Sequence, residues 1–293
     1  MNAPEQLSLA NPQEREAALK STVESAVIRL ASQLAEGHTE EFEAFLRFYS
    51  RFWTYSARNG LLIQLQCPGA IRCAGRSLWN QMGYHIKRGE KAIWIWAPIT
   101  RRATDPDTGE IFTQLAGFRP APVFDFSQME EAEERPLLSL VPRLPDDMAA
   151  ELARCIIKVE NAGIAVRIRK TFGTSLGQST PGRITISEDL DSRNQLFVLL
   201  HELTHELFHQ RPLIVNETRT RAQAEFEAES VAYVAASVMG IEHPGARDYL
   251  LHWEATPKQL QQSMFAIQTM VKRVVVLLEI PFDAPATPEA LIA

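Results

Sequence analysis

Apolar and polar residues in the first part of the chain follow the spacing of helices and then of strands. Between residues 12 and 37 apolar residues recur every three or four positions, which predicts an amphipathic helix. These residues are Leu19, Val23, Val27, Leu30 and Leu34. A second helix is predicted over 40–55, then a short helix around "SLWNQ", a strand over Ala92–Pro98, a turn at "TDPDTGE" and a strand in "FRPAPVFDFSQ".

The second part of the chain is richer in helical patterns. Helices are predicted over 146–163, 192–210, 220–239 and 257–279, with strands at "IAVRIRK" and "RITIS" and a Gly/Ser/Thr-rich loop over 173–182. The acidic run "MEEAEERP" separates the two parts and is the best candidate for a linker. We therefore predict an α+β protein of two domains, an N-terminal α/β domain over 1–136 and a C-terminal domain over 137–293.

Composition limits the class of protein. The chain has 293 residues, of which 45% are hydrophobic and 23% charged, as in folded globular proteins with room for two cores. No apolar run is long enough to span a membrane, and the N-terminus lacks the pattern of a secretory signal. We expect a cytoplasmic protein with no membrane partner, in which Cys67, Cys73 and Cys155 are free thiols. A zinc pair at Cys67 and Cys73 would lack further ligands.

Charge is distributed unevenly along the chain. The formal net charge is −6, yet residues 46–102 hold ten Lys or Arg against the single acid Glu90, a net charge of +9. The remainder, with 20 bases and 35 acids, carries −15. An asymmetry of this size favours two domains with different partners.

The basic segment also holds four of the five tryptophans, Trp53, Trp79, Trp94 and Trp96. Single-stranded nucleic acid is bound by cations that follow the phosphates and by flat rings that stack on bases. Trp94 and Trp96 would share one side of a strand, with Lys87, Arg88 and Lys91 in the preceding turn. Alternatively, the tryptophans belong to the hydrophobic core.

The stretch "HELTHELFHQ" carries the strongest chemical signal. His201 and His205 stand four residues apart on a predicted helix, so their rings can converge on one ion. Glu202 between them can take a proton from a zinc-bound water and deliver it to a leaving amine. Alternatively, these are satisfied histidines on a surface helix. His209 is interpreted as a helix-end histidine near the site.

A third metal ligand is expected from the next helix, in "AEFEAESVAYVAA". Glu225 and Glu229 are four residues apart and share a face, whereas Glu227 points elsewhere. We predict Glu225 as the ligand and Glu229 as the carboxylate that orients a ligand histidine through its other ring nitrogen. The reverse assignment of these two glutamates remains open.

The combination "LLHELTHELFH…AEFEAESVAY" resembles the zincin-like peptidases of the ImmA/IrrE type and the C-terminal domain of ArdC-type antirestriction proteins. The resemblance rests on His201, Glu202, His205, Glu225 and Glu229, and "YLLHW" at 249–253 also fits it. It implies a small α+β zincin-like metallopeptidase domain, with "RITIS" beside the active-site helix as a strand with which an extended peptide can pair.

The stretch "FWTYSARNGLLIQLQCPGAIRCAGRSLWNQMGYHIKRGEKAIWIWAPI" resembles the N-terminal single-stranded-DNA-binding domain of the same ArdC-type family. The matching features are Asn59, Gln66 with Pro68, Trp79 and the run from Gly83 to Lys91, followed by "VFDFSQ". The sequence departs from the family in its long N-terminal helix and acidic linker. The expected DNA-binding residues are Arg51, Trp53, Arg58, Asn59, Arg76, Trp79, Lys87, Arg88, Lys91, Trp94 and Trp96.

Together these observations predict a single-stranded-DNA-binding zinc metallopeptidase. It would hydrolyse a peptide bond of a DNA-associated or regulatory protein through a zinc-bound water, with Zn²⁺, Mn²⁺ or another divalent metal at the site. Its partners would be single-stranded DNA and an unknown protein substrate. The alternative is a non-proteolytic antirestriction or DNA-protecting protein in which the metal is structural.

Overall fold

The computed structural model describes residues 11–106, 108–130, 147–170, 175–210, 219–241 and 255–280. The predicted domain boundary near residue 137 and the motif at 249–253 lie outside the described residues. The chain forms two compact units. Among the described residues, unit 1 comprises 11–26 and 58–130, and unit 2 comprises 27–57 and everything from residue 147 onward.

The units do not follow each other in chain order, because 27–57 belongs to the same unit as the second half of the chain. Helix α1 (Pro12–Ala35) therefore contributes residues to both units. Its five apolar residues named above are all buried, as the helical spacing requires. The helix ends two residues before the predicted position, and Gly37 follows with a φ of 81°.

Helix α2 (Glu40–Tyr49) is shorter than the predicted 40–55. After it the chain turns back, and the Tyr49 hydroxyl donates to the carbonyls of Trp53 and Tyr55 at 3.3 and 3.0 Å. This hydroxyl therefore satisfies backbone carbonyls that have left the helix. In unit 2 the α2 residue Phe42 packs on Phe226, with ring centroids 5.0 Å apart.

Unit 1 is built on an antiparallel sheet. Its elements are α3 (Ala57–Gln66, whose first residue belongs to unit 2), β1 (Cys73–Ala74), α4 (Arg76–Gln81), β2 (Ile93–Thr104) and β3 (Ile111–Asp125). The strand order is β1-β3-β2. Strand β2 is longer than the predicted 92–98, and from Ile99 it is largely exposed, so the end of the β2–β3 hairpin is largely outside the core.

Helix α3 covers the outer edge of β2 with two amide side chains. Asn59 accepts from the Trp96 N–H and donates to its carbonyl, at 2.9 and 2.8 Å. Gln66 makes the same pair of bonds with Trp94, at 2.9 and 2.8 Å. An uncovered strand edge leaves backbone groups unpaired, so these amides replace a neighbouring strand.

Unit 2 combines α2 with a small sheet and four further helices. These elements are α5 (Met148–Asn161), β4 (Ala165–Arg169), β5 (Gly177–Thr180), β6 (Arg183–Ser187), α6 (Ser192–Thr204), a π-helical turn (His205–His209), α7 (Arg221–Val238) and α8 (Pro257–Leu277). Asp191 and Thr220 cap α6 and α7 by accepting from backbone N–H groups of the first turn. Across the part of the chain that the structure describes, no helix is both long and apolar enough to cross a membrane.

The sheet of unit 2 corrects one sequence-based expectation. Its order is β4-β6-β5, with β4 parallel and β5 antiparallel to β6. The strand "RITIS" is β6, which is bonded on both sides, so the prediction that it offers a free edge to a peptide is wrong. Its consecutive buried residues are typical of a central strand. The two outer strands of this sheet are β4 and β5, and β5 lies within the stretch 173–182 that was predicted to be a loop.

Candidate functional site

Three potential metal-ligating atoms converge between α6, the π-helical turn and α7. His201 Nε2 and His205 Nε2 lie 3.1 Å apart, and each lies 3.3 Å from Glu225 Oε2. His201 is on the last turn of α6, His205 opens the π-helical turn, and Glu225 is on the second turn of α7. Within the described residues these three side chains form the group with the geometry of a metal site.

The spacing of these atoms fits a divalent metal ion. Ligand atoms about 2.0–2.1 Å from a tetrahedrally coordinated zinc ion lie roughly 3.3–3.4 Å from one another. Two imidazole nitrogens and a carboxylate oxygen are also a common ligand set of catalytic metal sites. The structure therefore brings together the three residues that the sequence analysis selected as ligands.

Electrostatics at this cluster reflect the crowding of histidines and acids. Burial lowers the pKa of His201, but hydrogen bonds with Glu225 and Glu229 outweigh this effect and raise the pKa to about 9. Hydrogen bonds with His201 and His205 hold the pKa of Glu225 well below its usual range. In the absence of an ion a proton is thus held between these side chains, and a metal ion would replace it.

Glu229 lies behind the cluster rather than in it. Its Oε2 is 3.1 Å from His201 Nδ1, the ring nitrogen that faces away from His205 and Glu225. Such a carboxylate fixes the orientation of a ligand histidine and leaves its Nε2 to the metal. This geometry favours Glu225 over Glu229 as the third ligand.

Glu202 is buried beside the two histidines. Burial raises the pKa of its carboxyl group, an effect partly offset by the charges of His201 and His205. Strand β5 passes directly against it, because a Cβ on Gly177 would overlap Val198 Cγ1 and lie 2.7 Å from Glu202 Oε1. Glycine is therefore needed at this position for the strand to approach Glu202.

The π-helical turn anchors the other end of β5. The Glu206 carboxylate, which is buried, accepts from the Gly182 N–H at 2.7 Å and from the Ser179 hydroxyl at 3.4 Å. Gln210 Nε2 donates to Ser179 Oγ at 2.6 Å. Local sequence patterns do not predict these contacts, because they join residues more than twenty positions apart.

A cavity of about 840 Å³ opens onto the cluster. Its walls include the three candidate ligands, Glu202 and most of β5, together with Leu176, Phe197 and Val198. Exposed Arg169, Lys170 and Arg221 also line it. The cavity is large enough for several residues of an extended peptide.

In unit 1, Trp94 and Trp96 occupy the face of β2 opposite the core. Ile93, Ile95 and Ala97 alternate with them and are buried. The β3 residues opposite the two tryptophans are Pro122 and Pro120, and Phe118, which is exposed, lies opposite Pro98. We call Trp94, Trp96, Pro98, Phe118, Pro120 and Pro122 the aromatic face.

The two tryptophans of the aromatic face are partly covered. Both are half-buried, and Arg15 Cζ of α1 lies 3.7 Å from the centroid of the Trp94 ring. A guanidinium over an indole ring is a favourable cation–π contact. One face of the Trp94 ring is thus occupied by a cation.

Other predicted DNA-binding residues have different positions. Trp79 is fully buried and its Nε1 donates to the Phe124 carbonyl at 2.9 Å, so it belongs to the core of unit 1. Asn59 is buried and bonded to the β2 backbone as described above. Neither side chain is exposed for contact with DNA, so the prediction that both lie on a binding surface is wrong. Trp79 packs in the core, and Asn59 pairs with the edge of β2.

Two further predicted residues, Arg51 and Trp53, fall in unit 2. Trp53 is buried there, 7% exposed, whereas Arg51 is exposed and contacts the Phe48 ring. The remaining predicted cations lie in unit 1, where Arg58, Arg76, Arg88 and Lys91 are exposed and Lys87 is half-buried. Of the residues predicted to bind DNA, these cations and the two tryptophans of the aromatic face remain accessible in unit 1.

Comparison with known families identifies two domains. Residues 17–137 match the N-terminal domain of anti-restriction factor ArdC, and residues 159–242 match the IrrE N-terminal-like domain of the peptidase M78 group. The second match contains the three candidate ligands together with Glu202 and Glu229. An uncharacterized Bacillus anthracis protein, pXO2-81, is 24% identical over 265 aligned residues, which cover 76% of this chain and 44% of that protein. The chain thus spans less than half the length of that relative.

Two solved structures are similar to the chain, both of the antirestriction protein ArdC from the R388 plasmid. The metal-free structure has 17% identity and a TM-score of 0.52 and covers 77% of this chain and 84% of that one. The Mn(II)-bound structure has 14% identity and a TM-score of 0.54, with 88% and 96% covered. At such low identities the likeness is one of fold.

Proposed function

Because this chain belongs to the ArdC-type family of antirestriction proteins, we propose that it binds single-stranded DNA and hydrolyses a peptide bond of a DNA-associated or regulatory protein. The observation that carries the hydrolytic part is the convergence of His201, His205 and Glu225 beside the buried Glu202. The DNA-binding part is supported by the aromatic face and the exposed cations of unit 1.

His201, His205 and Glu225 would hold the metal ion. When bound, a divalent ion supplies Lewis acidity, which polarises a carbonyl and acidifies a coordinated water. Zn²⁺ and Mn²⁺ both suit two imidazole nitrogens and a carboxylate, and the R388 ArdC structure described above contains Mn(II).

Glu202 would move the proton during hydrolysis. Its raised pKa lies nearer to neutral pH than that of an ordinary glutamate, which suits a group that first accepts a proton and then donates it. In the proposed reaction a Glu202 carboxylate oxygen takes a proton from the attacking water. It later gives that proton to the amine nitrogen as the C–N bond breaks.

Strand β5 would orient the substrate. It is one of the two outer strands of the sheet, it lines the cavity, and Gly177 brings it against Glu202. An extended peptide that pairs with such an outer strand receives main-chain hydrogen bonds regardless of its sequence. Side-chain selection would then come from the cavity walls.

Single-stranded DNA would bind to the aromatic face of unit 1. Bases stack on aromatic rings only when they are unpaired, so single strands are favoured over duplex. The exposed cations at Arg58, Arg76, Arg88 and Lys91 would contact phosphates. A base that stacks on Trp94 would compete with Arg15 for the same ring.

The proposed hydrolysis is tested with the full chain loaded with Zn²⁺ or Mn²⁺. A peptide library prepared from a cell lysate is incubated with the protein, with and without a single-stranded oligonucleotide, and new N-termini are identified by mass spectrometry. The wild type should produce new N-termini. Glu202→Gln should bind the metal equally well and produce none, because it keeps the ligands and loses the proton acceptor.

One control variant and two contradicting outcomes make the result decisive. Glu188→Gln changes an exposed glutamate of unit 2 that does not line the cavity, and this variant should cleave as the wild type does. Cleavage that persists in Glu202→Gln, or no cleavage by the metal-loaded wild type under either condition, would contradict the peptidase proposal.

A second candidate function is protection of DNA without proteolysis. It is favoured by one observation, that the aromatic face contains none of the metal-site residues and belongs to unit 1, whereas the metal cluster belongs to unit 2. Coating of single strands would then need no hydrolysis. If so, Glu202→Gln should protect single-stranded DNA from a nuclease as well as the wild type does.

A further inference from the structure

The two candidate ligand histidines are supported in different ways at their second ring nitrogen. His201 Nδ1 meets a carboxylate directly, Glu229 Oε2, at 3.1 Å. His205 Nδ1 instead lies 2.9 Å from the Nδ1 of another histidine, His209. His209 Nε2 in turn lies 3.2 Å from Glu227 Oε2.

The proton positions in this chain of contacts follow from the ligand role of His205. If Nε2 of His205 gives its lone pair to a metal, the neutral ring carries its proton on Nδ1. That N–H must donate to His209 Nδ1, which is therefore unprotonated. His209 then carries its proton on Nε2 and donates it to the Glu227 carboxylate. Only one tautomer of each ring satisfies every contact.

We propose that His209 and Glu227 are positioning residues that fix the tautomer and ring orientation of His205 for metal binding. The inference rests on the metal site of the proposed function. A carboxylate–histidine pair commonly holds a ligand imidazole through its outer nitrogen. Here the carboxylate acts through one additional imidazole.

The far end of this chain of contacts is held firmly. Glu227 is fully buried, and its Oε1 accepts from the Ser263 hydroxyl at 2.7 Å and from Gln223 Nε2 at 3.2 Å. Arg219 Nε lies 2.9 Å from Oε2 as an ion-pair partner. These groups come from the segment before α7, from α7 itself and from α8, so three parts of unit 2 fix one carboxylate.

The backbone between the two histidines is adapted to their contact. In the π-helical turn the Gln210 N–H donates to the His205 carbonyl at 3.0 Å, a bond that spans five residues instead of four. The rings of His205 and His209 have centroids 4.9 Å apart and planes inclined by 60°. Single π-turns within helices are frequent at functional sites, and this one joins a ligand to its support.

The test uses the full-length protein, titrated with Zn²⁺ and with Mn²⁺. His209→Phe keeps a ring of similar shape but loses both ring nitrogens, and metal affinity should fall about 10–100-fold. His209→Asn restores an oxygen near the Nδ1 position that can accept from His205, so it should bind metal more tightly than His209→Phe. His38→Phe makes the same chemical change at an exposed histidine of unit 2 and should leave the affinity unchanged.

A second readout reports the tautomers directly. In the zinc-loaded wild type, ¹⁵N correlation spectra of the imidazole rings should show His205 protonated at Nδ1 and His209 at Nε2. If His209 only filled space beside His205, the two rings would not need to adopt these tautomers. The measurement is made on the wild type, so it decides the proposal even if His209→Phe fails to fold.

The outcomes separate this inference from the proposed function. If the wild type binds metal and His209→Phe binds within twofold of it, or if the spectra show the opposite tautomers, the positioning role is wrong and the metal site stands. If the wild type binds neither Zn²⁺ nor Mn²⁺, both the metal site and the positioning role fail.

Discussion

The metal cluster of unit 2 and the aromatic face of unit 1 hold their candidate functional side chains in different ways. At the cluster both nitrogens of His201 and of His205 have polar neighbours within 3.3 Å. At the aromatic face the tryptophans are half-buried, and Trp94 is covered by an arginine from a helix. The cluster is thus arranged in the absence of a ligand, whereas at the aromatic face a base that stacked on the arginine-covered side of Trp94 would have to displace Arg15.

This difference matches the demands of the two ligands. A metal ion requires ligand atoms at fixed distances, and the loss of one supporting contact weakens binding. Single-stranded nucleic acid varies in sequence and is flexible, so a stacking surface must tolerate different bases. Substitutions at the cluster should therefore strongly lower the affinity for one ion. Substitutions at the aromatic face should lower the affinity for many DNA sequences by smaller amounts.

The largest effect is expected at the glutamates of α7. Glu225→Ala removes a ligand and should abolish measurable metal binding, whereas Glu229→Ala should weaken it by about 10–100-fold. Isothermal titration with Zn²⁺ measures both, with Glu188→Ala as an exposed control. The reverse order of the two variants would make Glu229 the ligand.

A large effect on stability, rather than on metal binding, is expected at Trp79. It tests which residues of the basic segment belong to the core and which to the surface. Trp79→Ala removes a fully buried ring and its hydrogen bond, which should lower the free energy of unfolding by about 3–5 kcal/mol. Chemical denaturation followed by circular dichroism measures this loss. An unchanged unfolding midpoint would contradict the core position of Trp79.

A smaller loss is expected at Trp96 and concerns DNA rather than stability. Trp96→Ala removes one stacking ring and should weaken binding to a single-stranded oligonucleotide by about 1–3 kcal/mol. Fluorescence anisotropy measures the affinity, and Phe265→Ala, which removes an exposed ring of α8, is the matched control. Equal losses in both variants would argue against the aromatic face as the binding surface.

The pH dependence of metal binding should show the proton held at the cluster. Because the pKa of His201 is raised to about 9 in the absence of metal, the ring is protonated at neutral pH and an ion must displace that proton. Affinity for Mn²⁺ should therefore rise by about tenfold per pH unit between roughly pH 7 and 9 and level off above this range.

The raised pKa of His201 also makes the stability of the metal-free protein depend on pH, in the opposite direction: stability falls as the pH rises. A raised pKa stabilises the folded state fully below about pH 6.5, the unfolded value, and this contribution is lost as the pH rises through about 9. Glu229→Gln weakens one cause of the shift and should flatten both pH dependences. Mn²⁺ affinity that is independent of pH between 7 and 9 would contradict the protonation of His201.

The smallest expected effect concerns the salt dependence of DNA binding. Each phosphate contact contributes a log–log slope of about −0.7 on single strands, so Lys91→Ala should reduce the magnitude of the slope by roughly that amount. Lys258→Ala, at an exposed lysine of unit 2, should leave the slope unchanged. A change at Lys258 instead of Lys91 would move the DNA contact to unit 2.

The sequence was sufficient for the elements and residues that depend on local spacing. The helical repeat of α1 and the four-residue spacings of His201 with His205 and of Glu225 with Glu229 predict which side chains share a face, and the structure has them there. The support by His209 had a local signal as well, since it follows His205 at the spacing that separates His205 from His201. The signal became meaningful only with its partner Glu227 on another helix.

Other features depended on contacts between distant parts of the chain, which local patterns do not encode. Strand β5 lies in a polar stretch without strand-like alternation, and it forms because β6 offers a partner and Glu206 and Gln210 anchor Ser179. Likewise, the sequence shows a tryptophan at 79 and at 96 in equally basic surroundings, and only packing makes one core and the other half-exposed.

By itself, then, the sequence determined the helix faces, the candidate metal-ligating residues and the resemblance to the ArdC-type family, because each of these depends on spacings of a few residues. Tertiary structure decided that β6 is central, that 27–57 joins unit 2, that Asn59 pairs with a strand edge and that Glu227 supports His205 through His209. These outcomes required backbone groups and buried polar atoms to find partners far along the chain, and only the folded chain brings such partners within hydrogen-bonding distance.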